Sequence, residues 1–356
     1  MVAAAVNGFG RIGRLAFRVA LEKFAGDIEI VAINTSGSMD AEGWAHLLRY
    51  DSIYGKFSKE ILVEGPGEDP EIGVLVIDKK RYPVLAQREP SKIPWKRYGA
   101  EVVIEATGIF TSEEGARQHI IAGAKKVVIS APDKGGNVGT YLLGVNEYQG
   151  AHDIVSNGSC TTNCVAPVAA IMEAEIGIKK AMLSTIHAVT AEQNTVDGSP
   201  PGGHSNDLRR ARAAFANIIP TSTGAAQTVT KTIPELSGLF DGMAIRVPIT
   251  SGSITDFTFV TKRPTTVEEV NNIFKKASEN PRWRGIVATT SEPIVSSDII
   301  GRSESAIVDL SLTKVEDGDL VKVMAWYDNE WGFSHRLIEQ TIAVGNTLHE
   351  TRNTNA

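Results

Sequence analysis

The sequence predicts two α/β domains: an open, mostly parallel sheet in the first half, and an α+β arrangement with a mixed or antiparallel sheet in the second. Three observations carry this. Short apolar runs alternate with helical patterns as far as Ser156. After that point the character changes, and the strand-like runs are longer. The chain has 356 residues, enough for about two domains.

The elements can be justified in order. Ala3–Val6 is an apolar run that stops at Asn7-Gly8, and Leu15, Val19 and Leu21 mark a helix ending near Gly26. Ile28–Ile33 is β-branched, and Val102–Ile104, Val127–Ile129 and Ile154–Val155 are later short runs, with a helix expected over Gly115–Gly123. Strands that alternate with helices imply parallel pairing. Val74–Ile77 and Tyr82–Leu85 read as a hairpin. Beyond the boundary, Thr161–Glu175 reads as a helix and Ala181–Ile186 as a strand. Asp256–Val260, Ile307–Leu312 and Val321–Trp326 read as strands of the second sheet, and Ser334–Leu348 as a final helix. The domain boundary is expected near Gly158, giving residues 1–158 and 159–333.

Composition excludes several classes. Hydrophobic residues at 42% and charged residues at 22% are ordinary for a globular chain with a sizeable core. The net charge of −6 argues against a nucleic-acid-binding face, leaving Arg209-Arg210-Ala211-Arg212 as the one dense basic run. No apolar run approaches the roughly 18 residues of a membrane helix, and the N-terminus lacks the basic n-region of a secretory leader. The two cysteines, Cys160 and Cys164, are four residues apart and make no disulfide framework. A reducing, cytoplasmic location follows by elimination. No His or Cys spacing suggests a metal site.

The run Gly8-Phe9-Gly10-Arg11-Ile12-Gly13 follows the first strand and opens the first helix. This is the dinucleotide fingerprint of a Rossmann domain in its required setting. Gly8 permits the turn, Gly10 lets backbone approach a pyrophosphate, and Gly13 lets helix pack on strand. A bare glycine-rich turn is the alternative. The second strand ends in Asn34 and Thr35, where an NAD-specific site usually carries an acid for the ribose 2′-hydroxyl. An acid would repel a 2′-phosphate, whereas an amide and a hydroxyl can donate to it. NADP is therefore expected to be accepted or preferred over NAD.

Ser159-Cys-Thr-Thr-Asn-Cys164 opens a helix. There the dipole favours a thiolate at Cys160, as a nucleophile requires. Cys164, one turn further on, is expected to be buried and inert. His187 ends the next strand; a strand–helix–strand path would bring it back to Cys160 as a base. An ordinary buried thiol and a structural histidine are the bland alternatives.

Seven motifs then coincide in order: Asn7-Gly-Phe-Gly-Arg-Ile-Gly-Arg14, Ala106-Thr-Gly-Ile-Phe110, Ser159-Cys-Thr-Thr-Asn-Cys164, Asp207-Leu-Arg-Arg-Ala-Arg212, Thr221-Ser-Thr-Gly-Ala-Ala226, Arg246-Val-Pro248 and Trp326-Tyr-Asp-Asn-Glu-Trp-Gly332. In these the chain resembles the phosphorylating glyceraldehyde-3-phosphate dehydrogenases over essentially its whole length. The resemblance implies Cys160 as nucleophile and His187 as base. It implies that Arg11 and Ile12 contact the cofactor pyrophosphate, that Arg88, Thr107 and Ser130 line the cofactor groove, and that Asn329 holds the nicotinamide carboxamide. Thr190 and Arg246 would bind the substrate phosphate. Ser159, Thr161, Arg210, Thr223 and Gly224 would bind inorganic phosphate or the neighbouring phosphate site. It further implies a homotetramer, with residues 334–356 packed on the cofactor domain.

Three departures stand out: Thr35 in place of an acid; Ala191-Glu192 after Thr190 together with a long loop Gly198–His204 whose glycines would relieve crowding of a 2′-phosphate; and Phe333 where the family often has Tyr, which should cost little. The same chemistry would serve erythrose 4-phosphate, the alternative substrate. A cysteine hydrolase would share the thiol and imidazole but would need neither the fingerprint nor Asn329.

Overall fold

The computed structural model describes residues 1–200 and 207–353. The chain divides into two compact units. The first comprises Met1–Tyr141, Glu147–Gly158 and the residues from Ser334 onward; the second comprises Leu142–Asn146 and Ser159–Phe333. The sequence reading assigns residues 142–146 to the first domain. Leu142, however, is buried in the core of the second unit among Val168, Trp283 and Ile286, and the Arg282 guanidinium donates to the Gly144 carbonyl.

The first unit is built on a nine-stranded sheet. Its order is Leu62–Glu64, Glu71–Ile77, Lys80–Leu85, Ile28–Asn34, Val2–Asn7, Val102–Glu105, Lys126–Ile129, Ile154–Ser156, Gly139–Thr140. Val2–Asn7 pairs in parallel with Ile28–Asn34 on one side and Val102–Glu105 on the other. The order therefore reverses at this strand, and the ends of neighbouring strands splay apart into a crevice, where ligands of such sheets bind. The expected hairpin is present, pairing Glu71–Ile77 antiparallel with Lys80–Leu85. Val2–Asn7, Val102–Glu105, Lys126–Ile129 and Ile154–Ser156 are buried along almost their whole length, which is why they read as apolar runs without alternation. The helix expected over 115–123 spans Glu113–Ile121, because the Ser112 side chain accepts from Gly115 N–H and caps it earlier. Within the same unit, Val2 lies against Gly345 of the final helix Trp331–Asn353, and Phe24 meets His335 edge-on.

The second unit holds an eight-stranded mixed sheet. The order along its main path is Ile219–Ser222, Phe240–Arg246, Ile178–His187, Ser253–Thr261, Leu320–Tyr327, Ala306–Asp309, Val287–Thr290, with Lys314–Glu316 paired to Leu320–Tyr327. Ile178–His187 runs parallel to Phe240–Arg246 and antiparallel to Ser253–Thr261. The strand expected over 307–312 ends at Asp309, whose carboxylate accepts from the Ser311 amide and hydroxyl and turns the chain. The helix Cys160–Glu175 lies on this sheet, burying Cys164, Val165, Val168 and Met172 in the core.

One topological expectation is corrected. Ile154–Ser156 belongs to the first sheet and Ile178–His187 to the second, so no single-sheet strand–helix–strand unit joins Cys160 to His187. Instead, the helix from Cys160 reverses at Gly177, whose φ of 83° suits glycine. The ten-residue strand then returns along the helix to its N-terminal end.

Candidate active site

The cofactor crevice lies at the carboxyl ends of the first unit's strands. A cavity of about 530 Å³ is lined by Gly8, Gly10, Thr35, Arg88, Thr107 and Phe110, among others. The three fingerprint glycines answer to different constraints. Gly8 has φ of 95°, and a Cβ there would meet Thr107 N at 2.7 Å. A Cβ on Gly13 would meet the Gly8 carbonyl oxygen at 2.0 Å, so this residue holds helix to strand. A Cβ on Gly10 would meet nothing within 4 Å. No contact within the protein requires glycine there, and the open space leaves room for a pyrophosphate to approach the backbone. The helix Arg11–Lys23 has no side-chain cap at its N-terminus, so its first-turn dipole faces this space, which suits a pyrophosphate. The residues present therefore fit a dinucleotide.

Three expectations about individual cofactor residues change. Asn34 donates to Asn7 Oδ1 at 2.7 Å and to the Gln87 carbonyl at 2.9 Å, and accepts from Gln87 N–H. Thr35 Oγ1 donates to the Leu85 carbonyl at 2.9 Å. Both side chains are thus consumed in fastening neighbouring strands, and neither offers the donor the sequence reading gave it. Arg88 stands near them: its Nε donates to the Ser36 carbonyl at 3.3 Å, and its exposed guanidinium lines the same cavity. Sequence separation hid this neighbour, which the parallel pairing of Ile28–Asn34 with Lys80–Leu85 supplies. The Arg11 guanidinium turns to Asp51 at 2.6 Å, so only its backbone, with that of Ile12, stands at the helix start. Thr107 donates its N–H to Glu105 at 2.7 Å, and Ser130 follows the strand Lys126–Ile129. The loop expected to relieve crowding, Gly198–His204, lies mostly outside the described residues.

In the second unit, Cys160 Sγ lies 3.3 Å from His187 Nε2. Cys160 is the first residue of its helix, and Ser159 is the cap, accepting from Thr162 N–H at 3.0 Å. His187 Nδ1 lies 2.6 Å from the Ala188 carbonyl. Arg246 Nη1 lies 2.8 Å from the same nitrogen, so Nδ1 faces one acceptor and one donor, while Nε2 faces the sulfur. Burial first, then the Arg246 charge, push the His187 pKa down to about 3, partly opposed by the Ala188 carbonyl. The imidazole is therefore neutral at ordinary pH.

The dipole argument for a resting thiolate needs a correction. Burial pushes the Cys160 thiol up, while the Arg246 charge and the hydroxyl and amide of Thr161 pull it back. The net direction is upward, so the resting pair is thiol and neutral imidazole. Burial raises the Cys164 thiol as well, as suits an inert core group.

The sheet register assembles the remaining residues. Arg246 is directly opposite His187 in the parallel pair, and its Nη1 donates to the Ala188 carbonyl at 3.1 Å. Ile219 is opposite Arg246 on the other side, and Arg210 Nε donates to Thr221 Oγ1 on that strand at 2.8 Å. Thr223 and Gly224 follow directly, at the start of the helix Ala225–Thr232. The basic run thus resolves: Arg210 is buried, whereas Arg209 is exposed and Arg212 pairs with Asp197 at the surface. Thr161 Oγ1 is bound to the Tyr327 hydroxyl at 3.0 Å, which also reaches Thr185 Oγ1 at 2.7 Å. Tyr327 was missed by sequence reasoning; its ring meets His187 edge-on at 6.0 Å and buttresses the base. Asn329 Oδ1 accepts from Gly252 N–H and Ser253 Oγ, which fixes its amide orientation.

Among the described residues no cluster of His, Cys, Asp and Glu could hold a metal ion, and no helix is long and apolar enough to cross a membrane.

A dinucleotide crevice in one unit, with a thiol–imidazole pair among anion-binding donors in the other, defines a nicotinamide-dependent oxidoreductase. Residues 2–113 match the glyceraldehyde 3-phosphate dehydrogenase NAD binding domain, and residues 159–329 its C-terminal domain. The chain is 48% identical over 346 residues to a glyceraldehyde-3-phosphate dehydrogenase of Streptomyces coelicolor, covering 96% of this chain and 98% of that one. It is 46% identical to those of Zymomonas mobilis and Mycobacterium avium, each covering 98% of this chain and 99% of the relative. The chain belongs to the glyceraldehyde-3-phosphate dehydrogenase family: it is a phosphorylating oxidoreductase using NAD or NADP.

Proposed function

We propose that the protein oxidises D-glyceraldehyde 3-phosphate to 1,3-bisphosphoglycerate through a covalent Cys160 intermediate, with NADP accepted or preferred. The observation that carries this is the 3.3 Å approach of Cys160 Sγ to His187 Nε2. The thiol loses its proton to His187 as sulfur bonds to the aldehyde carbon, and the imidazolium passes that proton to the carbonyl oxygen, which becomes the hydroxyl of a thiohemiacetal. A bound nicotinamide supplies the hydride acceptor. His187 Nε2 takes the hydroxyl proton as the C–H electrons leave, giving a thioester. A phosphate oxygen then attacks the acyl carbon, the C–S bond breaks, and the sulfur regains a proton. Thr190 and Arg246 hold the substrate phosphate. Arg210, Thr223 and Gly224 receive inorganic phosphate, with Ser159 and Thr161 acting through the cap and the Tyr327 contact. Asn329 orients the carboxamide.

Support for NADP is the absence of an acid beside Thr35 and the presence of the Arg88 cation at the same end of the crevice. Initial rates with both cofactors test it. We expect kcat/KM with NADP at least comparable to that with NAD, and Arg88→Ala to lower the NADP value about tenfold while moving NAD less. A strong NAD preference that Arg88→Ala leaves unchanged refutes it.

The glycines give a second test. Gly13→Ala should cost about 2 kcal/mol or more of stability through overpacking and weaken dinucleotide binding. Gly10→Ala should leave the melting temperature close to that of the parent and weaken binding alone. Thermal melts and cofactor titration read both; equal stability losses would contradict the assignment.

A homotetramer in the cytoplasm completes this reading. It rests on the family resemblance and on apolar side chains left exposed in the second unit, Met182, Leu208, Phe215, Ile218 and Met243.

A further inference from the structure

Three residues assigned above to phosphate converge on one atom of a fourth. Glu192 Oε1 accepts from Arg210 Nη1 at 2.7 Å, lies 3.5 Å from Thr190 Oγ1, and stands 4.0 Å from Arg246 Nη2. We infer that Glu192 is an internal competitor for the phosphate site, its carboxylate oxygen standing where a phosphate oxygen would sit. This rests on the reading that Thr190, Arg210 and Arg246 receive phosphate.

The competing idea is that Glu192 serves to position the arginines. The anchoring argues otherwise. Arg210 is held from behind by Thr221 Oγ1 at 2.8 Å and by Asp207 at 3.5 Å. Arg246 is held by the Ala188 carbonyl at 3.1 Å. Each guanidinium therefore keeps its place without Glu192 and turns its other nitrogen toward the carboxylate. Both cations are largely buried, with 7% and 12% side-chain exposure, whereas Glu192 is 39% exposed and has a path to solvent. Two buried cations without an anion are costly, so a carboxylate that occupies the site at rest and leaves for an incoming dianion lowers that cost. A phosphate brings about twice the charge and three acceptor oxygens, enough to displace a single carboxylate. Apparent affinity is then reduced by the fraction of molecules in which Glu192 has swung out. Glu192 thereby sets the phosphate concentration at which the enzyme works, and discriminates against weaker anions that cannot displace it.

The test uses steady-state kinetics with wild type, Glu192→Gln and Glu192→Ala, varying inorganic phosphate and the phosphorylated aldehyde separately. The expected result is a fall in KM for one or both of roughly threefold to tenfold, with kcat little changed. Turnover of unphosphorylated glyceraldehyde at saturating phosphate should keep its aldehyde KM. An unchanged or raised KM for both phosphates in both variants overturns the competitor role. Arg210→Ala and Arg246→Ala are measured alongside. If neither raises a phosphate KM, the phosphate-site reading itself has failed, and the inference falls with it for a separable reason.

Discussion

Replacing Cys160 by Ser should reduce kcat for aldehyde oxidation by about 10⁴-fold or more while leaving dinucleotide affinity within about twofold of the parent. In the proposed reaction this residue makes the covalent bond between protein and substrate carbon on which both later steps depend. A serine hydroxyl fits the space but is far harder to deprotonate than a thiol. Its ester would also transfer acyl to phosphate less readily than a thioester. Cofactor affinity is spared because the fingerprint glycines, Arg88 and Thr107 belong to the first unit. Burst kinetics and cofactor titration together decide the point. Turnover above about one per cent of the parent would contradict nucleophilic catalysis by this sulfur.

His187→Asn is the second large effect, with kcat expected to fall by roughly 10²–10⁴-fold, the usual worth of a positioned base. Since burial raises the Cys160 thiol and lowers the imidazole, the resting pair is uncharged, and the base is needed to take the proton at the moment sulfur attacks. Alkylation of Cys160 at neutral pH should slow in the same variant. Stability provides an independent reading. A histidine held neutral in the folded state near pKa 3, against about 6.5 unfolded, binds fewer protons folded than unfolded between those values. Stability from this group is therefore complete above the unfolded value and declines as pH falls through the window, by about 2 kcal/mol at about pH 5. The Asn variant lacks this contribution, so its stability loss between about pH 7 and about pH 5 should be smaller by that amount. Denaturant titration at the two pH values measures it. An identical pH dependence in parent and variant would mean the imidazole is not held neutral.

Much of the site is legible in short local patterns. The G-x-G-x-x-G run is legible because its glycines sit at a turn with positive φ at Gly8 and at the helix packing contact of Gly13. Ser159 and Cys160 are likewise placed by a helix start that the sequence announces. What stays hidden depends on partners far along the chain. Thr35 looks like a free donor until the parallel strand brings the Leu85 carbonyl to its hydroxyl. Arg88 looks distant until the same pairing sets it beside Ser36. Tyr327 sits inside a recognised motif, yet nothing local says that it joins Thr161 to Thr185. The helix Val267–Glu279 escapes a reading that follows apolar strands.

By itself, then, the sequence determined the fingerprint turn, the alternation that makes a parallel sheet, the cysteine at a helix start and the family to which those motifs belong. Each is a matter of residues within a few positions of one another. Tertiary structure alone decided the ionisation of the Cys160–His187 pair, the burial of Arg210 in a run of three arginines, and the capture of Arg210 by Glu192. Charge state and hydrogen-bond occupancy depend on what surrounds a group in space. The pairing register of distant strands sets those surroundings, and no local pattern encodes it.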